Sequence, residues 1–433
     1  MKRIIAMGLI TMLLSGVIVN AQEKTDTISL KEVVVTASKT PQSKGNVTQK
    51  IEVITAKEIQ NLVISNRNIC EALKMQAGSS VSALSRNDAN WGTYAGIGPK
   101  YSTFMVDGLP VDAFVDPMTL DLMAVEKIEY QKGPASVMYP NYLSQDFAGN
   151  QSPLAGTVNL ILKERVEKPM NYFGSGFGSY NTFNGQVFHQ DVVNRTHYYA
   201  GVNYEMSDYT DYGIENSWLN MKKNPEYRKT KMFGRASWFS EDNNQKFTLF
   251  ASKTMHNGDA GRVYRGFDHD YGMINAGYQL RLCEKTSLRA AIGLRSYDRT
   301  WQESQFNTID SLVSNNGVMQ NIIPADISIS HVHGKGHVFT AGTDYQGAEY
   351  YNWSDPLLGY KTYGNKSTAM QTGFYAQEEL HLGKLIVRAG ARTNYSKSNI
   401  ALINGAMPVQ KSKEYISILY SGGLKYNLNE MVS

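Results

Sequence analysis

The sequence predicts a small α+β domain followed by antiparallel transmembrane β-strands, and three observations carry that reading. Period-two alternation sets in near Pro169 and continues down the chain. Short and long connections alternate between those stretches. Beyond the N-terminal segment, no stretch approaches the roughly 18 unbroken apolar residues of a spanning helix. A chain that crosses a membrane without such helices does so as barrel strands.

Residues 1–21 read as a secretory signal peptide. Lys2 and Arg3 form its charged start, Ile4 to Val19 its apolar stretch, and Val19-Asn20-Ala21 its cleavage site. An N-terminal membrane anchor fits less well, because the apolar stretch is short and Gln22 to Ser29 are polar. No Cys follows the apolar stretch to suggest a lipid anchor. The expected location is therefore the outer membrane, reached by export, with its lipids around the strands. The net charge of +4 over 433 residues gives no reason to invoke nucleic acid. The 27 tyrosines suit boundaries between apolar and wet regions. Cys70 and Cys283, far apart, make neither a disulfide framework nor a zinc cluster.

Between residues 46 and 168, short strand and helix signals mix. Ile51 to Thr55 reads as a strand, and Thr55 as the N-cap of a helix beginning at Ala56. A second helix, Asn68 to Gln76, stops at Gly78. Phe104 to Val106 is a strand ended by the turn dipeptide Asp107-Gly108, Val125 to Gln131 is another, and Thr157 to Leu162 a third.

From 169 to 433 the alternation is regular. Leu288, Ala290, Ile292 and Leu294 lie on one face, with Arg289, Gly293, Arg295 and Tyr297 on the other. Leu385, Val387, Ala389 and Ala391 oppose Arg388, Arg392 and Asn394 in the same way. Phe247, Leu249 and Ala251 alternate with Lys246, Thr248 and Ser252. One apolar and one charged face over about ten residues marks a transmembrane strand, although a soluble sandwich alternates too. Connection lengths favour the membrane. Short turns at 194–195, 241–244, 284–286, 333–336 and 383–384 are separated by long polar connections at about 208–229, 256–270, 299–318, 350–367 and 397–413. The expected strands are 171–180, 183–193, 197–207, 230–240, 245–255, 272–282, 287–298, 319–331, 337–349, 368–382, 385–396 and 415–427. Short turns then face the periplasm and long loops the exterior. Loop aromatics such as Tyr209, Trp218, Tyr264, Trp301, Trp353 and Tyr360 suit an outer aromatic girdle or ligand capture.

Two patterns are set aside. His331, His333 and His337 cluster like metal ligands, but they flank a turn on the periplasmic side, away from a ligand entrance; no metal site and no cofactor is expected. Gly174, Gly176 and Gly178 resemble a phosphate loop without the helix that should follow. Strand glycines against an interior domain account for them better. No catalytic constellation stands out.

Several motifs occur in a telling order. Leu30-Lys31-Glu32-Val33-Val34-Val35-Thr36-Ala37 is an extended, β-branched segment inside a polar stretch, 22–45. Gln49 to Thr55 and Cys70 to Gly78 follow. Then come Met105-Val106-Asp107-Gly108-Leu109-Pro110, Ile128-Glu129-Tyr130-Gln131-Lys132-Gly133-Pro134-Ala135-Ser136 with Tyr139, and Gly156-Thr157-Val158-Asn159-Leu160-Ile161. In this order, behind an export signal and ahead of barrel strands, they resemble the TonB-dependent outer-membrane receptor family. The resemblance runs from about Ile28 to Lys163 in its motifs and more loosely beyond.

The resemblance implies that 46–168 is a plug inside the barrel and that Leu30 to Ala37 is the TonB box. The TonB box is a strand that pairs with the periplasmic protein TonB through backbone hydrogen bonds. The flanks Thr25 to Ser29 and Lys39 to Lys44 would keep it mobile. It further implies a monomer that imports a scarce ligand, read here as a ferric siderophore, with cobalamin, haem or a glycan as other cargo. Candidate ligand contacts are Trp91 and Tyr94 at the plug apex, and Tyr139 and Tyr142. A barrel enzyme, and a porin or adhesin, are the rival classes; the plug motifs speak against an enzyme. The sequence departs from the family pattern at Lys132, where Arg is usual, and at Ala155 and Pro140, where Gly is usual. An Arg-Gly motif is not evident between Ser85 and Tyr101, and the 141–153 stretch is long. A plug cation at Lys132 is expected to pair with barrel-wall carboxylates, less forked than Arg would be. Family barrels close about 22 strands, and barrel width grows with strand number. Twelve strands are expected to form an open or distorted sheet, as in a truncated receptor.

Overall fold

A computed structural model describes residues 33–61, 69–74, 76–84, 88–93, 102–112, 119–133, 136–140, 143, 156–209, 222, 224–261, 263–305, 311–402 and 409–428. The signal-peptide reading, Leu30 to Glu32, Tyr94, Pro134 and Tyr142 lie outside the described residues.

The N-terminal segment forms a minimal hairpin, β1 (Val33–Val34) against β2 (Gln42–Ser43). The plug follows with β3 (Lys50–Thr55), α1 (Ala56–Asn61), α2 (Ile69–Lys74), β4 (Ser80–Leu84) and β5 (Asp88–Thr93). It continues with β6 (Ser102–Val106), β7 (Leu109–Val111), β8 (Val125–Lys132) and β9 (Gly156–Leu162). Thr55 caps α1 as expected: its Oγ1 accepts from Glu58 N at 3.3 Å, and Glu58 Oε2 accepts from Thr55 N at 2.7 Å. That reciprocal pair is a capping box. Five strands make one mixed sheet, ordered β3-β8-β9-β6-β7, in which β6 and β9 run parallel and the other neighbours antiparallel. The Asp107-Gly108 turn joining β6 to β7 has both residues at positive φ, 49° and 78°. That is the backbone a two-residue hairpin needs.

The wall is a single 12-stranded antiparallel sheet, each strand paired with the next in chain order. Its strands are β10 (Met170–Phe177), β11 (Phe183–Val193), β12 (Thr196–Ser207), β13 (Tyr227–Phe239), β14 (Gln245–Asp259) and β15 (Gly266–Cys283). The rest are β16 (Thr286–Gln305), β17 (Ser311–His333), β18 (His337–Pro356), β19 (Thr362–Leu382), β20 (Leu385–Leu402) and β21 (Val409–Tyr426). Among the described residues β10 and β21 pair with one neighbour each, so the barrel is incomplete. All twelve expected strands are present, but from β14 onward they run 15 to 23 residues and absorb most of the expected long connections. A membrane crossing needs about 9–11 residues, so these hairpins continue past the apolar layer. Pairing alone satisfies their backbone there, which period-two apolarity does not report.

The faces fall as the alternation predicts. Leu249, Ile292 and Leu294 are exposed on the outside, whereas Arg295, Tyr297, Arg388 and Arg392 are buried on the inside. The inner face is filled by the plug. Wall residues Phe188, Tyr199, Phe233, Phe250 and Met273 share one apolar cluster with plug residues including Phe104, Leu122, Ile128 and Leu160. Burying one such aromatic contributes about 1.5–3 kcal/mol, so this contact anchors the plug to β11–β15.

At Gly156 φ is 121°, and an added Cβ would stand 2.1 Å from the Gln131 carbonyl oxygen. Gly156→Ala is expected to cost about 1–3 kcal/mol of local plug stability. Hydrogen exchange at Val158 and Leu160 in the intact protein measures it; unchanged protection would contradict the strain.

Candidate functional site

Thr36, Gly108, Glu129 and Asn159, all within the singled-out motifs, meet in one hydrogen-bonded chain. Gly108 N donates to Asn159 Oδ1 at 3.0 Å, and Asn159 Nδ2 donates to Thr36 Oγ1 at 3.1 Å. Thr36 Oγ1 in turn donates to Glu129 Oε2 at 2.5 Å. Register explains the convergence: Asn159 on β9 stands directly across from Glu129 on β8 and from Met105 on β6. The Asp107-Gly108 turn and the N-terminal segment therefore grip opposite ends of the same central strand position.

Glu129 is the anchor for the N-terminal segment. Its carboxylate also accepts from Val35 N at 3.0 Å and Thr36 N at 2.8 Å, and Lys127 lies 2.8 Å away. Lys127 Nζ donates to Val33 O at 2.6 Å as well. Val34 and Ala37 turn the other way, into a small cluster with Val47 and Ile51. Bonds to a charged acceptor are the strong kind, and here one carboxylate takes three.

Lys39 then reaches the wall. Its ammonium lies 2.5 Å from Asp326 on β17, donates to Tyr375 Oη at 2.7 Å, and sits over the rings of Tyr375 and Tyr139. Burial pulls this lysine below its usual range, and the Asp326 charge pulls back. Two wall hydrogen bonds hold the neighbouring backbone: Gln377 Nε2 donates to Ala37 O at 3.1 Å, and Thr340 Oγ1 to Ser38 O at 2.9 Å. The flank Lys39 to Lys44 was expected to keep the segment mobile; here Gln42–Ser43 form β2, and a buried ion pair and two rings hold Lys39.

The turn is held from the other side. Arg235 on β13 reaches Asp107 Oδ2 at 2.6 Å and Glu164 Oε1 at 3.2 Å; Arg289 on β16 donates to the Asp107 carbonyl. Lys246 on β14 pairs with Glu164 at 2.7 Å. Burial alone would raise the Glu164 carboxyl, but Lys246 and Arg235 overcome it and hold it below the ordinary carboxylate range.

The remaining expectations divide. Lys132 pairs with Glu52 of the plug at 2.8 Å, across the β3–β8 ladder, rather than with a wall carboxylate. The plug–wall pairs at the turn run the other way, from wall arginines to plug acids. Gly133 has a φ of 84° in open space. Trp91 lies on β5 opposite Ser82; its side chain is outside the described residues. Tyr139 is 3% exposed and packed among Met105, Met138 and Tyr375. Lys39, Asp326, Arg235 and Glu164 were not singled out in the sequence. Charged inward positions on the strands were the available signal, but alternation names a face and not a partner.

Comparison with known proteins agrees with this architecture. Residues 43–142 match the model of the TonB-dependent receptor plug domain, and residues 171–433 match the TonB-dependent receptor-like β-barrel. Among solved structures, the siderophore receptor PiuA from Acinetobacter baumannii is similar at a TM-score of 0.70 and 12% identity, over 90% of this chain and 64% of that one. The alcaligin outer-membrane receptor FauA from Bordetella pertussis is similar at 0.70 and 15%, over 92% and 64%. The ferric-catecholate import receptor Fiu from E. coli, in a closed form, is similar at 0.70 and 13%, over 93% and 66%. This chain thus spans 64% of the length of the first two. At these identities the likeness is one of fold.

Glu129→Gln is expected to remove the charged acceptor of Val35 and Thr36 and to lower local stability by about 2 kcal/mol or more. Exchange rates of those two amides measure it; unchanged protection would refute the anchor. Asp326→Asn leaves Lys39 buried without its counter-charge, a loss of about 3–5 kcal/mol read by chemical denaturation. The Glu164 contact has a folded value below the ordinary 4.5, so its stability is fully present above 4.5 and lost as pH falls through the lower folded value. A pH series of exchange across 163–168 tests that sign.

Proposed function

The chain belongs to the TonB-dependent receptor family, and from that premise we propose that it imports a scarce ligand through the outer membrane, driven by TonB, with a ferric siderophore as cargo. Family and fold are those of receptors rather than of enzymes. The observation that carries the proposal is the route of residues 33–39. They leave the central plug strands at Glu129 and run to the wall at Asp326, linking the two bodies that import must separate.

In this reading the segment Leu30 to Ala37 is the TonB box. Here Val33 and Val34 already pair with β2, and Glu129 occupies the amides of Val35 and Thr36. A partner strand offers those amides the same kind of bond, so TonB competes with the β2 pairing and the Glu129 carboxylate. Force applied there passes through Thr36 and Asn159 to the Asp107-Gly108 turn, and through Lys39 to the wall. The siderophore reading is supported by the similar solved structures, which include a siderophore receptor and a ferric-catecholate import receptor. Ligand capture would fall to the outer loops and the apex around Trp91, Tyr94 and Tyr142.

Chromosomal deletion of Glu32 to Ala37 in the native host is expected to leave ligand binding intact and abolish energy-dependent uptake. Unchanged uptake would overturn the TonB-box assignment. Deleting the gene and comparing growth under iron, cobalamin and haem limitation assigns the cargo. A defect under cobalamin or haem limitation alone would replace the siderophore reading.

A further inference from the structure

The lipid-facing side of the wall is not smooth. Across β11–β16 it carries an open groove of about 790 Å³. Val187, Val202, Met232, Lys253, Gly272 and Ser296 form one register row over these six strands. In the row beside it stand Ala200, Gly234 and Ala251, followed by Ile274 and Leu294. The small residues therefore run as a diagonal trough, from Ala200 through Gly234 and Ala251 to Gly272 and Ser296. Val202 and Met232 bank it on one side, Ile274 and Leu294 on the other. From β12 to β16 is four strand spacings, about 19 Å. One leaflet's chains cover about 15 Å, half of a roughly 30 Å hydrocarbon core, so the trough has the length of one acyl chain.

Gly272 has no backbone reason to be glycine. An added Cβ would meet only Ser296, at 3.9 Å, and β15 pairs there in unbroken register. A strand glycine of that kind marks a place where something else comes close. The trough is continuous with the lipid-facing apolar band, where Leu249 and Ile292 stand exposed beside it, so what comes close is lipid. Its Gly272–Ser296 end is polar. Lys253 lies 3.1 Å from Asp270, both half exposed, and Asp298 stands directly across from Asp270. Asp268 is one outward position further along β15, and Lys361 is a second cation whose charge reaches Asp298. Like charges directly opposite each other cost stability, so an ammonium between Asp270 and Asp298 is favoured there. Lys253 beside them offers a place for a phosphate. A cation and acids side by side match a zwitterionic head, whereas a purely anionic head would meet the acids.

We propose that this groove is a binding site for one phosphatidylethanolamine molecule, with a chain along the trough, its phosphate at Lys253 and its ammonium at Asp270 and Asp298. The site depends neither on TonB nor on the cargo. Its floor is the backbone of Gly201, Phe233, Ser252 and Met273, a single register row. Phe233 and Met273 turn their side chains inward, into the cluster that seats the plug. The bound chain thus packs against the outside of the same backbone that carries the plug seat, and braces it.

The test is native mass spectrometry of the intact purified chain, titrated in detergent with dioleoyl phosphatidylethanolamine, the matching phosphatidylglycerol, or lipid A. The chain is expected to retain one ethanolamine lipid, about tenfold more tightly than the glycerol lipid. Gly272→Leu fills the trough without backbone strain and should weaken that retention by about tenfold or more. Ile292→Phe adds bulk on the same face outside the groove and should leave retention unchanged. Lys253→Gln with Asp270→Asn should erase the preference between heads while one chain is still held. The ethanolamine lipid should also raise the thermal midpoint of the parent chain and not that of Gly272→Leu. No retained lipid, several equivalent lipids in place of one, equal retention of both heads, retention untouched by Gly272→Leu, or a preference for lipid A would each overturn the site. If Gly272→Leu fails to accumulate, Ala251→Leu fills the same trough and is read in the same way.

Discussion

A wall that turns its apolar residues to lipid must turn its charged ones inward, and those charges need partners in a confined space. Arg295 and Arg392 are among the largest fully buried side chains. Arg392 meets Asp344 within the sheet, at 2.5 and 2.7 Å. Among the described residues, Arg235 and Lys246 find their acids on the plug and its link to the wall instead, where Asp107 and Glu164 complete them. The plug is therefore more than an apolar cork resting on Phe188 and Phe250. It supplies the counter-charges of β13–β14, and any movement that takes it away must supply others.

The same constraint sorts what the sequence revealed. Strand faces were legible because lipid enforces period two. A one-residue slip in β16 would turn Ile292 and Leu294 inward and Arg295 out to the lipid, so the register has a single acceptable setting. The Asp107-Gly108 turn was legible because its two positive φ values demand that dipeptide. Strand ends were not, because beyond the apolar layer ladder bonds alone extend β17 and β18 through residues such as Asn315 and Ser354. Partners were hidden too. Lys39 and Asp326 stand 287 residues apart, and nothing local to either announces the pair. The acids and cations at the plug surface were read as a plug cation seeking wall carboxylates. The actual polarity at the turn is reversed because the strands nearest it carry the basic residues.

The N-terminal segment combines two kinds of attachment with different responses to force. β1 and β2 share only two residue pairs, so their ladder opens one step at a time. The Glu129 carboxylate instead holds two amides and a hydroxyl together, and losing the segment leaves a buried charge facing Lys127. The segment thus resists a small displacement strongly. Once Thr36 is drawn off, Asn159 loses one bond and the Asp107-Gly108 turn loses its link to the N-terminus. Coupling from residue 33 to the turn needs no long-range conformational wave, because a short chain of side chains in contact covers the distance.

That coupling also sets which contacts would be loaded first if the segment were pulled. Lys39 belongs to the same segment as Thr36, so a pull that frees Thr36 next loads the Lys39–Asp326 pair on β17. The opposite contacts, Arg235 and Arg289 to Asp107, are loaded only after the turn itself moves. Tyr375 and Tyr139 pack with Met105 and Met138, and the Lys39 ammonium lies over both rings. The apolar contact that seats the plug on Phe188, Phe233 and Phe250 includes none of residues 33–41, so drawing off that segment leaves it in place.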